Sequence, residues 1–327
     1  MTPAEDVSGM ACTPADGGRR LCLLVDDETQ GAQVVILDDG ARTAKPGQYI
    51  PLVRHEFAGK PLELDAEGAA YADGSFYVLG SHGRPRHEKE GDEEKNQARQ
   101  AASSHLFRIR FARDAVDMNT GAIRSAPAVI ESAPLSDFLP AGSLLKRQVG
   151  VPLETNGMTV EGFTVRGRDG IVGFRGPVDG SEALLLEVPL SDLFGGAGRV
   201  GAGRTVCLGV DGRGAARGIR DLAGIGDAVY GIAGPVHDPA EEAATADYAV
   251  FRLAPEGGVT LLPLPDRTAT VKPEALVPLA GGGSGFDGLM LHDGASYGTP
   301  PAPTFLAVSF DFAAGEKPSC APERQAR

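Results

Sequence analysis

"EGFTVRGRDGIVGFRGP", residues 161–177, opens with an acidic residue and a glycine and then holds two apolar runs separated by a polar turn. Short apolar runs bounded by glycine and aspartate are typical of two β-strands joined in a hairpin. A related pattern recurs along the chain, which makes this stretch one copy of a repeated β unit. The repeat is the feature that decides the fold.

The other copies share a small or acidic first residue, an apolar run, a turn and a second apolar run. They are "SGMACTPADGGRRLCLLVDDE" from Ser8, "EGAAYADGSFYVLGSHG" from Glu67, "DLAGIGDAVYGIAGP" from Asp221 and "EALVPLAGGGSGFDGLMLHDG" from Glu274. A third apolar run follows every copy and a fourth follows most of them. Four antiparallel strands per repeat indicate a β-propeller.

We therefore predict an all-β fold, a single β-propeller domain over residues 1–327, with five blades that start near residues 8, 67, 161, 221 and 274. A sixth blade between residues 105 and 160 is the alternative. The fifth blade has no clear fourth strand, so either the tail around Cys320 completes it or it keeps three strands. The segment 84–100, "RPRHEKEGDEEKNQARQ", is predicted to be a charged loop inserted into blade two.

The composition of the chain limits the classes of molecule that the protein is expected to bind. The chain has 327 residues and a formal net charge of -13, without a basic cluster free of acids, which argues against nucleic acid. No apolar run is long enough to span a bilayer. We expect a monomer whose partner is a cation or a small polar or anionic ligand.

Several stretches together resemble one bacterial family, that of domain of unknown function 3616. They are "DAEGAAYADGSFYVLGSHG", "LFRIRF", "VEGFTVRGRDGIVGFRGPVDGSEALLLEVPL", "RGIRDLAGIGDAVYGIAGP" and the opening "SGMAC" with "LCLLVDDE". The resemblance covers most of the chain. The family is loosely similar to esterase-like and phytase-like propellers, some of which bind calcium. The resemblance implies a propeller and export, and it supplies no catalytic residues.

The four cysteines are Cys12, Cys22, Cys207 and Cys320. Cys12 and Cys22 flank a turn-rich connector, so they either face each other across a hairpin as a disulfide or remain buried thiols. The opening "MTPAEDVSGM" has no apolar signal segment. A periplasmic or secreted location is therefore expected only from the cysteines and the resemblance.

The first position of the repeat is acidic in four of the five copies. The residues at this position are Ser8, Glu67, Glu161, Asp221 and Glu274. Since the first strands of propeller blades line the central channel, these carboxylates would surround one axis and raise each other's pKa. Calcium would suit such a ring because it accepts many oxygen ligands. The alternatives are compensation by arginine, for which Arg220 is placed, or capping of backbone N–H groups within each blade.

A second acidic group ends the second strand of the first copy. In "LLVDDETQG", residues 23–31, an apolar run leads directly into Asp26, Asp27 and Glu28. If this strand end lies at the mouth of the channel, Asp26 and Asp27 would add ligands to a metal site. The alternative is a solvated strand end.

Two functions are consistent with these residues. The first is a non-catalytic propeller whose acidic channel binds a divalent cation, with calcium as the candidate cofactor, or a small polar ligand. The alternative is a metal-dependent phosphoesterase or esterase, in which Arg175, Arg220 and His82 would hold an anionic substrate and transfer protons at the channel mouth. The common motifs of serine hydrolases, zinc proteases, P-loop proteins and dithiol redox enzymes are missing.

Overall fold

Five antiparallel sheets surround one axis and confirm the predicted five-bladed, all-β propeller. The structure is a computed structural model, and it describes residues 7–40, 43–85, 92–196, 198–237, 247–264, 272–292 and 305–320. Four sheets contain four strands each and the fifth contains three, within these ranges. The strands of each sheet follow one another in chain order, so every blade is built from one continuous stretch of sequence.

Blades one and two hold eight of the first ten strands. Blade one consists of β1 (Val7–Cys12), β2 (Arg19–Asp26), β3 (Gly31–Asp38) and β4 (Thr43–Pro51). A small hairpin of β5 (Glu56–Phe57) and β6 (Lys60–Pro61) then leads to blade two. Blade two consists of β7 (Ala66–Ala72), β8 (Ser75–Gly80), β9 (Leu106–Arg110) and β10 (Ala128–Glu131).

The remaining strands form blades three to five. Blade three consists of β11 (Thr159–Arg166), β12 (Asp169–Gly176), β13 (Glu182–Pro189) and β14 (Ala202–Cys207). Blade four consists of β15 (Arg217–Ile225), β16 (Ala228–Pro235), β17 (Ala249–Leu253) and β18 (Val259–Pro263). Blade five consists of β19 (Pro273–Gly282), β20 (Gly285–His292) and β21 (Phe305–Asp311).

The helices are short and lie outside the sheets. They are α1 (Glu93–Ser103), α2 (Leu144–Arg147) and α3 (Leu190–Gly195), with 3-10 turns at Leu135–Phe138, Leu153–Thr155 and Phe312–Ala314. None of the helices in the described part of the chain is long and apolar enough to cross a membrane.

The core is divided into five apolar clusters, one between each pair of neighbouring blades. The cluster between blades five and one, with Met10, Leu24, Val277 and Leu291, closes the ring. Arg20 reinforces this closure, because its guanidinium donates a 2.9 Å hydrogen bond to the carbonyl of Leu279 in blade five. The ring is thus closed by packing between blades one and five, each built from its own stretch of the chain.

The glycine of the repeat lets the first strands approach one another around the axis. A Cβ atom at Gly162 would lie 2.8 Å from Cγ of Leu222 in the neighbouring blade, and one at Gly68 would lie 3.0 Å from Cβ of Phe163. Contacts this close require a residue without a side chain. The acid–glycine pair of the repeat therefore combines a projecting carboxylate with a close strand contact.

Part of the predicted charged loop is helical. Helix α1 covers Glu93–Ser103, so the expectation of a loop over 84–100 is wrong for residues 93–100, and positions 86–91 lie outside the described ranges. Glu93 and Glu94 occupy the first turn, where negative charge favours the helix dipole. The following lysine, glutamine, arginine and alanine residues have good helix propensity. Their mixed charges are equally typical of a solvated loop, which is why the sequence predicted a loop.

The region between residues 105 and 160 does not form a sixth blade, so that alternative is wrong. It supplies the two outer strands of blade two, helix α2 and two 3-10 turns. Leu135, Phe138 and Leu145 from these turns pack into the cluster between blades two and three. The extra length of this repeat thus adds to an existing interface between blades.

Two disulfides are present. Cys12–Cys22 joins β1 to β2, as one interpretation of the sequence predicted, and Cys207–Cys320 joins residues 113 apart in sequence. After β21 the tail reaches blade four, where Glu316 exchanges two backbone hydrogen bonds of 2.7 and 2.9 Å with Leu261. It then reaches Cys207 in blade three. The tail does not complete blade five, which keeps three strands within the described residues.

Candidate functional site

A β-bulge near the start of every first strand leaves one residue of the strand unpaired. These five residues, here called the channel ring, are Ser8, Glu67, Glu161, Arg220 and Glu274. A bulge re-aims a side chain away from its usual face of the sheet. Since the five first strands pack against one another around the axis, the channel ring occupies equivalent positions along the channel.

The channel ring differs from the sequence prediction in blade four. The register places Arg220 at the bulge and Asp221 at the next position, which is glycine in blades one to three. The alignment on acidic residues was therefore wrong by one residue in this blade. The buried apolar residue before the bulge, Val160 in blade three and Ile219 in blade four, was the signal that gives the correct alignment.

Glu161 lies between two buried arginines. Its Oε1 atom is 2.8 Å from Nη1 of Arg175, and its Oε2 atom is 2.9 Å from Nε of Arg220. Arg175 also donates from Nε to the carbonyl of Val236 at 2.5 Å. The exposed fractions of Glu161, Arg175 and Arg220 are 3%, 1% and 2%, so both arginines are removed from solvent.

The ion pairs continue from Arg220 to blade five. Nη2 of Arg220 is 3.6 Å from Oε2 of Glu274, and Nζ of Lys272 is 2.5 Å from Oε1 of Glu274. The resulting charge chain is Arg175, Glu161, Arg220, Glu274 and Lys272. Two of the carboxylates considered as calcium ligands are therefore neutralised by cations of the protein itself, as the arginine-compensated interpretation expected. Lys272, which sequence reasoning missed, stands two residues before Glu274.

Asp221 has a different partner. Its Oδ2 atom accepts a 2.7 Å hydrogen bond from the backbone N–H of Leu276 in the neighbouring first strand. Burial raises the pKa of Asp221 well above its ordinary value, although this hydrogen bond acts in the opposite direction. Asp221 therefore links blades four and five, whereas the capping alternative placed the N–H partner of each acid within its own blade.

Glu67 is the remaining carboxylate of the channel ring. No hydrogen bond or ion pair to Glu67 is found among the described residues. Burial raises its pKa well above the ordinary value of 4.5, and repulsion from Glu161, Asp65 and Asp27 raises it further. The charge chain thus leaves one ring carboxylate in a negative environment.

Glu67 lines a cavity of about 170 Å³. This mouth cavity is lined by Glu63, Asp65, Glu67, Ser81, Gly83, Arg84, Pro85, Arg99, Ser103 and Thr159. The hydroxyl of Ser81 donates to Asp65, while Arg84 pairs with Glu93 and Arg99 with Glu63. Asp65 was missed from the sequence, although it stands only two residues before Glu67.

The three acidic residues at positions 26–28 have different surroundings. Asp26 is buried, and its Oδ1 atom accepts a 2.9 Å hydrogen bond from the N–H of Glu28, which forms a local turn. Asp27 acts on Glu67 through charge repulsion. The side chain of Glu28 is exposed. Asp27 is thereby tied electrostatically to the channel ring.

The three residues considered for catalysis are all buried. His82 has a left-handed backbone with φ of 52°, its Nδ1 atom lies 2.9 Å from the carbonyl of Gly80, and burial lowers its pKa to about 4. Its neighbours Ser81 and Gly83 line the mouth cavity, whereas His82 does not. Arg175 and Arg220 belong to the charge chain. Their catalytic roles remain predictions.

The structure brings Glu161, Glu274 and Arg220 together and places Glu67 beside them. Across the ranges that the structure describes, no group of three or more histidine, cysteine, aspartate and glutamate side chains is arranged to hold a metal ion. Whether Asp26, Asp27, Glu67, Glu161, Asp221 or Glu274 binds calcium remains a prediction.

Three solved structures show a distant likeness to this chain. An exo-1,5-alpha-L-arabinanase from a bovine ruminal metagenomic library has a TM-score of 0.48 and 10% identity, over 97% of this chain and 98% of that one. A GH43 endo-arabinanase from Bacillus licheniformis has a TM-score of 0.43 and 10% identity, over 94% and 95% of the two chains. A protein of unknown function from Dyadobacter fermentans has a TM-score of 0.43 and 10% identity, over 95% and 96%.

A comparison with curated proteins gives no match. The family model described as "Protein of unknown function (DUF3616)" matches residues 19–256, which include the first four blades apart from β1 and β18. This match agrees with the resemblance that the repeat sequences carry. The chain therefore belongs to the DUF3616 family.

Proposed function

We propose that this protein is a binding protein whose mouth cavity takes a small cation, with calcium as the first candidate. The observation that carries the proposal is Glu67, a carboxylate of the channel ring that lines this cavity and whose pKa is raised by burial and by four neighbouring carboxylates. A cation in the cavity would offset this repulsion. The site thus lies beside Glu67 rather than among all the acids of the ring.

The donors around the cavity support a hard cation. Carboxylates are contributed by Glu67 and Asp65, and hydroxyl groups by Ser81 and Thr159. Calcium prefers such oxygen donors and accepts water among its ligands. A volume of about 170 Å³ leaves room for the ion together with several water molecules.

The phosphoesterase alternative receives less support. It requires Arg175 and Arg220 to contact an anionic substrate, but both arginines are buried and bound to Glu161. Removing either of them from Glu161 would leave an unpaired charge in the interior. We therefore prefer binding over hydrolysis. The two disulfides are typical of oxidising compartments, which supports our proposal of a periplasmic or secreted location.

Replacing Glu67 with glutamine is expected to stabilise the protein at neutral and higher pH in the absence of added cation. Because the pKa of Glu67 is higher in the folded than in the unfolded state, stability falls as pH rises from about 4.5 through the folded value. Glutamine removes this loss. Thermal unfolding in EDTA should show a higher Tm for the variant at about pH 8 and a smaller difference at about pH 4. A lower Tm at about pH 8 would contradict the assignment.

Calcium is expected to raise the Tm of the wild-type protein and not that of Glu67→Gln. A ligand that binds only the folded state at about 100 times its Kd adds about 2.7 kcal/mol to the free energy of unfolding. The measurement is thermal unfolding in EDTA and then with calcium or magnesium. Glu274→Gln is the matched control, since Glu274 is a ring carboxylate already paired with Arg220 and Lys272.

The control should start from a lower Tm but keep its response to calcium. No rise in wild type with either metal, or an equal rise in wild type and Glu67→Gln, would show that the mouth cavity is not the cation site.

A further inference from the structure

Two histidines meet at the outer part of blade two, away from the channel ring. The Nε2 atoms of His55 and His105 are 3.2 Å apart. The Nδ1 atom of His105 lies 2.6 Å from Oε1 of Glu131. Both histidines are partly exposed and Glu131 is exposed, so the pair is accessible from solvent.

Neighbouring groups hold the backbone of both histidines and the ring of His105 in place. The backbone carbonyl of His55 accepts hydrogen bonds of 2.9 Å from the side chain of Gln30 and from the N–H of Leu62. The carbonyl of His105 accepts a 2.9 Å hydrogen bond from Gly80, and its ring stacks on Phe107 at a centroid distance of 5.5 Å. The two Nε2 atoms therefore approach each other from separate, fixed segments.

This geometry suits a shared metal ion. Histidine nitrogens bind zinc at about 2.0–2.1 Å, so two of them in a tetrahedral site stand about 3.3 Å apart. Metal-binding histidines commonly donate the other ring N–H to a carboxylate, which fixes the tautomer and the ring orientation. Glu131 is placed to do this for His105.

We propose that His55 and His105 bind one transition-metal ion of the zinc, nickel or copper class through their Nε2 atoms. Glu131 acts as the orienting carboxylate, and water fills the remaining coordination positions. Imidazole ligands suit these metals, whereas calcium prefers oxygen. His55 lies in the connection between blades one and two, and His105 directly precedes β9. A metal ion bound by both would therefore link these two segments. It is chemically independent of the calcium site proposed at Glu67.

The test is titration calorimetry of tag-free protein with zinc and then with nickel. We expect saturable binding of one ion, weakened at least tenfold by His55→Gln and by His105→Gln. Loss of an orienting carboxylate commonly costs about 10–100-fold in metal affinity, and we expect this of Glu131→Gln. His237→Gln is the matched control, because His237 is exposed and lies in blade four.

A second readout does not require any variant to fold. In the wild-type protein, zinc should shift the ring NMR signals of two of the six histidines. If zinc does not bind, or if both glutamine variants bind it as the wild type does, the 3.2 Å contact is only an N–H···N hydrogen bond and the proposal is wrong. Calcium should leave these ring signals unchanged.

Discussion

Glu161→Gln is expected to lower the free energy of unfolding by about 3–5 kcal/mol, the usual cost of removing one member of a buried ion pair. Glu161 contacts Arg175 and Arg220, and both arginines are almost completely inaccessible to solvent. Without the carboxylate their charges lose their closest counter-ion in a region of low dielectric. Urea unfolding of the purified variant measures the loss.

Glu187 offers a closely matched control. Its carboxylate also faces two arginines, with Oε1 3.2 Å from Arg166 and 2.6 Å from Arg204. These groups are partly exposed, and such pairs contribute about 0–1 kcal/mol. We expect Glu187→Gln to have a small effect. Equal losses for the two variants would contradict the claim that burial makes Glu161 important.

A double variant separates the ion pair from simple packing. Glu161→Gln combined with Arg175→Gln removes Glu161 together with one of its two arginine partners, and Arg220 keeps Glu274 as a counter-ion. The double variant should therefore lose less free energy of unfolding than the sum of the losses of the two single variants, because residues in direct contact are coupled. Strict additivity would show that Arg175 and Glu161 stabilise the blade independently.

Removing the Cys207–Cys320 disulfide with paired serines is expected to cost about 5 kcal/mol, from the chain-entropy relation for a loop of 113 residues. The disulfide restricts the unfolded chain by joining the tail to β14 of blade three. In the folded protein the tail also pairs with Leu261 of blade four through Glu316. Urea unfolding under non-reducing conditions compares the variant with the wild type.

The Cys12–Cys22 disulfide is the internal control. Its residues are only 10 apart, so the same relation gives about 3 kcal/mol for the paired serine variant. We therefore expect the Cys207–Cys320 variant to be the less stable of the two. The opposite order would mean that local contacts at the tail, rather than loop length, determine the contribution of each disulfide.

The strands of the blades could be predicted from the sequence, whereas the path of the tail could not. The strand pattern of each blade is local, because its turns and short apolar runs lie in consecutive residues. The Cys12–Cys22 pairing could be proposed from the sequence for the same reason, since both residues lie in one hairpin. The Cys207–Cys320 pairing could not be predicted from the sequence, because the tail crosses from blade five to blade three. Helix α1 was missed because its charged residues are equally compatible with a solvated loop.

The sequence by itself determined the five-bladed, all-β architecture and placed Glu67, Glu161 and Glu274 at equivalent positions of their blades. Only the tertiary structure decided which charges meet. Arg175 comes from the second strand of blade three, Arg220 from blade four and Lys272 from the segment before blade five. Charge interactions depend on distances of a few ångströms and on burial. A shift of one residue at Arg220 therefore replaced an expected acid with an arginine, and it left Glu67 as the carboxylate on which the binding proposal rests.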